Sequence, residues 1–279
     1  ECVLQFAFNY TFTIFTWTFY LQGIQKQNVK EISMEGAKFR LIPSVIFMLA
    51  FLPVKADYGS EIYSAYINNR MDRWKAVIDR MAAIPDKDNA LLLELVNYQY
   101  GYIGYCIGFD RKDEARKYLS VAQANLEILE ERGYMLSMVS AYKSAFYGFR
   151  IGLNPVTAPV NGKKSMENAK TALKLDPSNY LAYIQNGNIE FYMPAAFGGS
   201  KKEALEFYLK AKEVIEKNPG SLKGDWNYLS LMILIGQTHT YLKEYDKAKK
   251  TYDNILQIEP EFKYVKDDLY PKLLTKMKN

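Results

Sequence analysis

The sequence predicts an all-α protein, a right-handed solenoid of antiparallel helix pairs with a C-terminal capping helix. Three observations predict it. From residue 57 onward, apolar residues recur at three- and four-residue spacing, with almost no strand-like alternation. Short Gly, Pro, Asp and Asn clusters punctuate that pattern at intervals of about 12 to 20 residues, which gives roughly ten or eleven helices. Near the C-terminus, small and large residues recur within a 34-residue unit.

Composition narrows the function classes. The chain has 279 residues, 49% of them hydrophobic and 15% aromatic, enough to bury a large core and to exclude wholesale disorder. Two cysteines, Cys2 and Cys106, make neither a disulfide framework nor a zinc site. One histidine, His239, removes most metal and Ser-His or Cys-His chemistry. The net charge of +5 is modest, and its basic residues form no stripe, so no nucleic-acid partner is expected. No cofactor and no metal ligand set is expected either.

The first 56 residues read as a leader rather than as part of the fold. The run 3–24 is apolar and aromatic but broken by Gln5, Asn9 and Gln22, which makes it a weak membrane segment. Met34 opens a second run with Lys38 and Arg40, followed by the 12-residue apolar stretch 41–52 and then Val54-Lys55-Ala56. That order is a charged region, a hydrophobic core and a small-residue cleavage site. The expectation is therefore a signal peptide over 34–56, with 1–33 an over-extended start, and export to the periplasm. The rival expectation is a membrane anchor through an uncleaved N-terminus.

The helical elements then follow in order. Residues 59–84 form a degenerate first pair, and 92–129 a second, with Ala115 at a small position and Asp110 expected to cap its second helix. The third pair begins at 136–151, passes through an irregular stretch over 153–162, and ends on Ala169, Ala172, Leu175 and Pro177. The fourth starts at Tyr180 and carries five inserted residues between its helices, within 193–199. The fifth starts at Leu229, and 261–278 reads as the polar-faced cap a solenoid needs at its open end. The chain thus divides into degenerate pairs over 57–175 and regular repeats plus cap over 176–279.

In the fifth unit Met232, Ile235 and Gly236 fall at positions 4, 7 and 8; Tyr245, Ala248, Tyr252, Ile255 and Pro260 fall at 17, 20, 24, 27 and 32. In the fourth, Tyr183 and Gly187 fit 4 and 8, while Ala204, Tyr208 and Ala211 fit 20, 24 and 27. This pattern resembles the tetratricopeptide repeat (TPR), whose small residues let two helices approach closely. Over 176–275 the chain also resembles exported bacterial TPR proteins with a Phe-Gly-Gly turn, through Asn186-Gly-Asn-Ile-Glu, Pro194-Ala-Ala-Phe-Gly-Gly-Ser and Gly224-Asp-Trp-Asn-Tyr. That resemblance implies a TPR fold and export. A similar turn appears in TPR subunits of some periplasmic solute transporters.

The resemblance also implies where a partner binds, because TPR first helices line a concave face through positions 2, 5, 9, 12 and 13. Here these are Leu181, Ile184, Asn188, Phe191 and Tyr192, then Ser230, Ile233, Gln237, Thr240 and Tyr241. Asn188, Phe191, Tyr192, Gln237, Thr240 and Tyr241 are the candidate partner-binding residues. Asn188 and Gln237 share one position, where stacked amides could bond an extended peptide. The leading expectation is thus a scaffold for a protein or peptide, without catalysis; the alternative is a small-solute binder. A shallow open surface favours the first and a deep enclosed pocket the second.

Other features read as structural. Ser200 and Glu203 form an S-x-x-E capping box after Gly198-Gly199. Ser140-Ala-Tyr-Lys143 lacks the companion motifs of penicillin-recognising enzymes. His239 and Cys106 are expected in the core, and Lys201 to Lys217 alternate with glutamates as a solvated ion-pair pattern. Tyr98, Tyr100, Tyr102 and Tyr105 crowd one helix and cannot all point the same way, so part of that group is expected to line a groove.

Overall fold

The computed structural model describes residues 57–217 and 219–278, and within them every element is helical. The expectations for 1–33 and 34–56 lie outside the described residues. Among the described residues, no helix is long and apolar enough to cross a membrane.

Five pairs stack in chain order: α1 (Tyr58–Ile67) with α2 (Met71–Ala82), α3 (Asn89–Gly108) with α4 (Lys112–Glu131), and α5 (Leu136–Leu153) with α6 (Ala158–Leu175). They continue as α7 (Tyr180–Tyr192) with α8 (Lys201–Ile215), then α9 (Trp226–Tyr241) with α10 (Tyr245–Ile258). A π-helical turn, Tyr264–Leu269, leads into the cap α11 (Tyr270–Lys278). The all-α helical-repeat solenoid expected from the sequence is the fold observed.

Local chemistry explains the boundaries. Short polar side chains start four of the first helices: Asp57, Asp88, Asn179 and Asp225 accept from Ser60, Leu91, Ala182 and Asn227 backbone N–H groups at 2.8–3.1 Å. Pairs one, two and five share one turn. Asn69, Asp110 and Lys243 adopt φ of 54°, 57° and 61°. The next residue's N–H then reaches five residues back, as Arg70 to Ala65, Arg111 to Cys106 and Glu244 to His239 at 2.8–2.9 Å. Asp110 is therefore the left-handed residue closing α3, and it caps nothing; α4 starts on Arg111 without a side-chain cap. The stretch after α5 is also shorter than expected, since a 3-10 turn at Pro155–Thr157 runs directly into α6.

The fourth pair replaces the shared turn with its insertion. A 3-10 turn at Ala195–Phe197 ends on Gly198 at φ 98°, and Gly199 lies against the Met193 carbonyl with no room for a Cβ. Ser200 accepts from the Glu203 N–H at 3.2 Å, which is one half of the expected capping box. The other half differs: the Ser200 N–H donates to Glu190 on α7, at 3.2 Å, so the cap ties α8 to its partner helix.

Within each regular pair, a tyrosine at position 24 lies flat on the glycine at position 8. The Tyr208 ring covers Gly187 and the Tyr252 ring covers Gly236, so closely that a Cβ would collide with ring carbons. Both tyrosines are buried, as are Ala204, Ala211 and Ala248. Cys106 and His239 are core residues as expected. Burial pushes the Cys106 thiol up to about 11, and the His239 Nδ1 lies 2.7 Å from Glu244 Oε2.

The ends of the solenoid meet. Trp74 on α2 packs edge-on against Trp226 on α9 at 4.9 Å between centroids, and Tyr66 on α1 touches Trp226 at 5.9 Å and Phe262 at 5.0 Å. The Tyr63 hydroxyl donates to Glu259 at 3.0 Å. Gly101 on α3 makes this possible, because a Cβ there would lie 2.7 Å from the Trp74 ring and 2.8 Å from that of Trp226. The first pair thus folds across the inner face instead of extending it.

Candidate binding surface

The first helices supply the inner face, and aromatic rings fill its centre. Tyr100 stacks on Phe149 at 5.5 Å and meets Tyr142 at 5.8 Å, with Trp226 beyond it at 6.5 Å. The crowded tyrosines of α3 do diverge: Tyr98 and Tyr102 are buried, whereas Tyr100 and Tyr105 keep accessible surface. Tyr105 lies against Phe109 at 4.6 Å, away from the Tyr100 stack. Burial raises the phenols of Tyr66, Tyr100 and Tyr264 above the usual tyrosine range, and hydrogen bonds from Ser230, Gln185 and Gln237 respectively moderate the effect. These hydroxyls stay neutral at any physiological pH, so the centre offers hydrogen bonds and ring surface but no phenolate base.

Of the two expected amides, Asn188 is held by partners within the chain and Gln237 faces the Tyr264 phenol. Asn188 Oδ1 accepts from the Tyr208 hydroxyl at 2.8 Å, and its Nδ2 donates to Gln185 Oε1 at 3.3 Å. Gln237 lies beside the Tyr264 hydroxyl and lowers its pKa against the effect of burial. Thr240 donates to the Gly236 carbonyl at 2.9 Å. Leu181, Ile184 and Ile233 are buried and contribute packing.

The aromatic members of the set come together at the C-terminal rim of α7 and α9. Phe191 meets Tyr192 at 5.0 Å and Tyr241 at 5.8 Å, edge to face in both cases. Tyr241 is 57% exposed and Tyr192 42%, high values for rings that each contact Phe191. The α3, α5 and α7 backbones lie side by side in succession, but α7 and α9 are splayed and meet here through side chains. The insertion that follows Tyr192 carries Phe197, which is 70% exposed.

Lys201 is the residue sequence reasoning missed. It is not part of the solvated ion-pair row, unlike Lys210, Lys212 and Lys217, which pair with Glu213 and Glu216. Its ammonium bonds the Phe191 carbonyl and sits 4.7 Å from the Phe191 ring centroid and 5.3 Å from that of Tyr241. Burial lowers its pKa, against the pull of Glu190; burial raises that of Glu190, with Glu203 adding to the effect. The only sequence signal was position: Lys201 directly follows the inserted turn that reorients α8. Among the described residues, no group of His, Cys, Asp and Glu could hold a metal ion.

No family model matches the chain, and no curated protein matches it in sequence. Solved structures do match in shape. The HusA haemophore from Porphyromonas gingivalis superposes with a TM-score of 0.50 at 22% identity, over 66% of this chain and 86% of its own. A thermophilic TPR protein from Thermus thermophilus superposes with a TM-score of 0.50 at 14% identity, over 79% of this chain and 96% of its own. At these identities the likeness concerns architecture, and it agrees with the glycine–tyrosine packing: the chain has a TPR-like helical-repeat fold.

Proposed function

We propose that the chain is an exported, non-catalytic scaffold that binds a protein or peptide segment at the C-terminal rim of α7 and α9. The observation that carries this reading is the accessible cluster of Phe191, Tyr192 and Tyr241, which spans two repeats under a single ammonium. Aromatic side chains at a shared edge are the residue types that dominate binding energy in protein interfaces. The filled centre of the inner face supports a shallow rather than a deep mode of capture. A fitting segment brings an apolar side chain to the rings and a carboxylate or carbonyl to Lys201. Asn188, Gln237 and Thr240 serve as the floor of this site.

A second reading, a flat small solute taken up between the same rings and the inner tyrosines, is favoured by the likeness to a haemophore. Native mass spectrometry of the full chain, purified gently from its source's envelope, separates the two. A co-purifying polypeptide that is lost in Phe191→Ala/Tyr241→Ala supports the scaffold. A bound species of a few hundred daltons supports the solute. Unchanged capture by Asn188→Ala/Gln237→Ala would remove the amides from the site, and unchanged capture by the aromatic double variant would refute the rim altogether.

A further inference from the structure

The third helix pair carries the charge of the molecule. From Arg132 to Met166 the chain has no acidic residue. Across α5 and α6, residues 136–175, six basic side chains stand against Glu167 alone, a net charge of +5 that equals that of the whole chain. The cations collect where α5 turns into α6. Arg150 and Lys164 lie 5.3 and 5.6 Å from the centroid of one ring, Tyr147, and neither has an acidic partner among the described residues. Lys163 reaches Glu167 only at 3.9 Å. Like charges gathered around one ring repel each other, and a patch with nothing negative to balance it attracts an anionic surface.

The same corner holds the most exposed aliphatic side chains. Val156, in the 3-10 turn, is 79% exposed, and Val160, in the first turn of α6, is 62% exposed. Val160, Lys163 and Lys164 stand at i, i+3 and i+4, which puts them on one face of α6. First helices run the same way along the stack, so the insertion that follows α7 shares this edge, and it carries the exposed Phe197. Val156, Phe197 and Val160 are the three most exposed large apolar side chains among the described residues. The strongest apolar exposure and the strongest positive charge of the fold therefore coincide.

We propose that this edge docks on an anionic lipid surface. Val156, Val160 and Phe197 enter the boundary between headgroups and acyl chains, and Arg150, Lys163 and Lys164 meet the lipid phosphates. Apolar tips, a tyrosine at headgroup depth and unpaired cations around them are the residue types such an interface takes. A nucleic acid suits the corner less, because valines offer no stacking face. A protein partner suits it less, because apolar tips on separate corners form no continuous patch. The contact uses none of Phe191, Tyr192, Tyr241 and Lys201, so it stands or falls independently of the partner-binding rim.

The test is hydrogen exchange of the full chain, read by mass spectrometry. The probes are vesicles of equimolar phosphatidylglycerol and phosphatidylcholine, and vesicles of phosphatidylcholine alone. Anionic vesicles should slow exchange over 154–164 and 194–199, and neutral ones should not. The readout is local, so binding through residues 1–56 does not imitate it. Val156→Ser/Val160→Ser should raise the lipid concentration for half protection about tenfold, because two valines no longer leave water. Lys163→Gln/Lys164→Gln should raise it about tenfold or more, and added salt should act in the same direction. Both double variants change exposed residues and should keep the parent's helical circular dichroism. No slowing at the corner with anionic vesicles, equal slowing with neutral ones, or parent-like protection in either double variant overturns the proposal. A single-stranded oligonucleotide that protects the same segments equally in the parent and the valine variant would assign the corner to a soluble polyanion and overturn it too.

Discussion

One substitution, made at two glycines of the same secondary structure, tests the packing that defines the repeat. Gly236 lies mid-helix in α9 under the Tyr252 ring, whereas Gly148 lies mid-helix in α5 with nothing near its missing Cβ. Alanine at either position gains about 0.5–1 kcal/mol from reduced backbone freedom in the unfolded chain and better helix propensity. At Gly148 that gain stands alone, and the variant should be more stable than the parent. At Gly236 the new methyl meets ring carbons of a tyrosine that is only 2% accessible and has nowhere to retreat. Overpacking of this kind costs about 1–3 kcal/mol, which exceeds the propensity gain and reverses the sign. The two variants should therefore differ by about 2 kcal/mol, or about 4–8 °C in Tm for a chain of this size. Helical circular dichroism during urea and thermal unfolding measures it. Tyr252→Leu should restore Gly236→Ala toward the parent, while Tyr252→Phe should not, because the clash is with the ring and not the hydroxyl. If Gly236→Ala proved as stabilising as Gly148→Ala, the ring-on-glycine account would be wrong.

Three further outcomes follow from other contacts. Gly101→Val should force the Trp74 and Trp226 rings apart and redshift tryptophan emission well below the unfolding midpoint; unchanged emission would mean the ends do not meet as described. Burial raises the Asp225 carboxyl above its ordinary value, so its contribution to stability is complete below the unfolded value and declines as pH rises through the folded one. Asp225→Asn keeps an N-cap acceptor for the Asn227 N–H, and should stabilise the fold at about pH 7 but not at about pH 3; a loss at neutral pH would contradict this. Cys106, with no accessible surface and a thiol pushed up to about 11, should resist iodoacetamide in the native protein and react on unfolding; rapid labelling of native protein would contradict its burial.

The repeat architecture was legible because its signals are local. Gly187 with Tyr208, and Gly236 with Tyr252, mark close helix approach within a single unit, and Pro260 with Asp176-Pro177 marks its borders. The turn after α3 misled because aspartate serves two purposes: Asp110 has the residue type of an N-cap but the left-handed backbone of a C-terminal turn. Nothing local distinguishes these. The candidate surface was half legible. Positions along α7 and α9 put Phe191, Tyr192 and Tyr241 in one expected concave-face set, and in the structure their rings gather around Phe191, because helical periodicity fixes which residues share a face. It could not reveal Lys201, which arrives through a five-residue insertion, nor the Tyr208 and Gln185 partners that occupy Asn188. Nor could it show Trp74 and Trp226 in contact, since two rings with three helix pairs between them meet only because the first pair folds back across the inner face of the stack.

That meeting changes how the chain should respond to stress. A linear array of repeats holds together by neighbour contacts alone, so its terminal units can fray without cost to the middle. Here Tyr63 bonds Glu259, 196 residues away, and Tyr66 covers Phe262. Loss of either end uncovers the other, so melting should be a single cooperative event rather than a progressive peeling. The same link slows assembly, because the joining contacts form only after nearly the whole intervening chain is in place. An otherwise local fold thereby acquires the kinetics and the all-or-none character of a closed one.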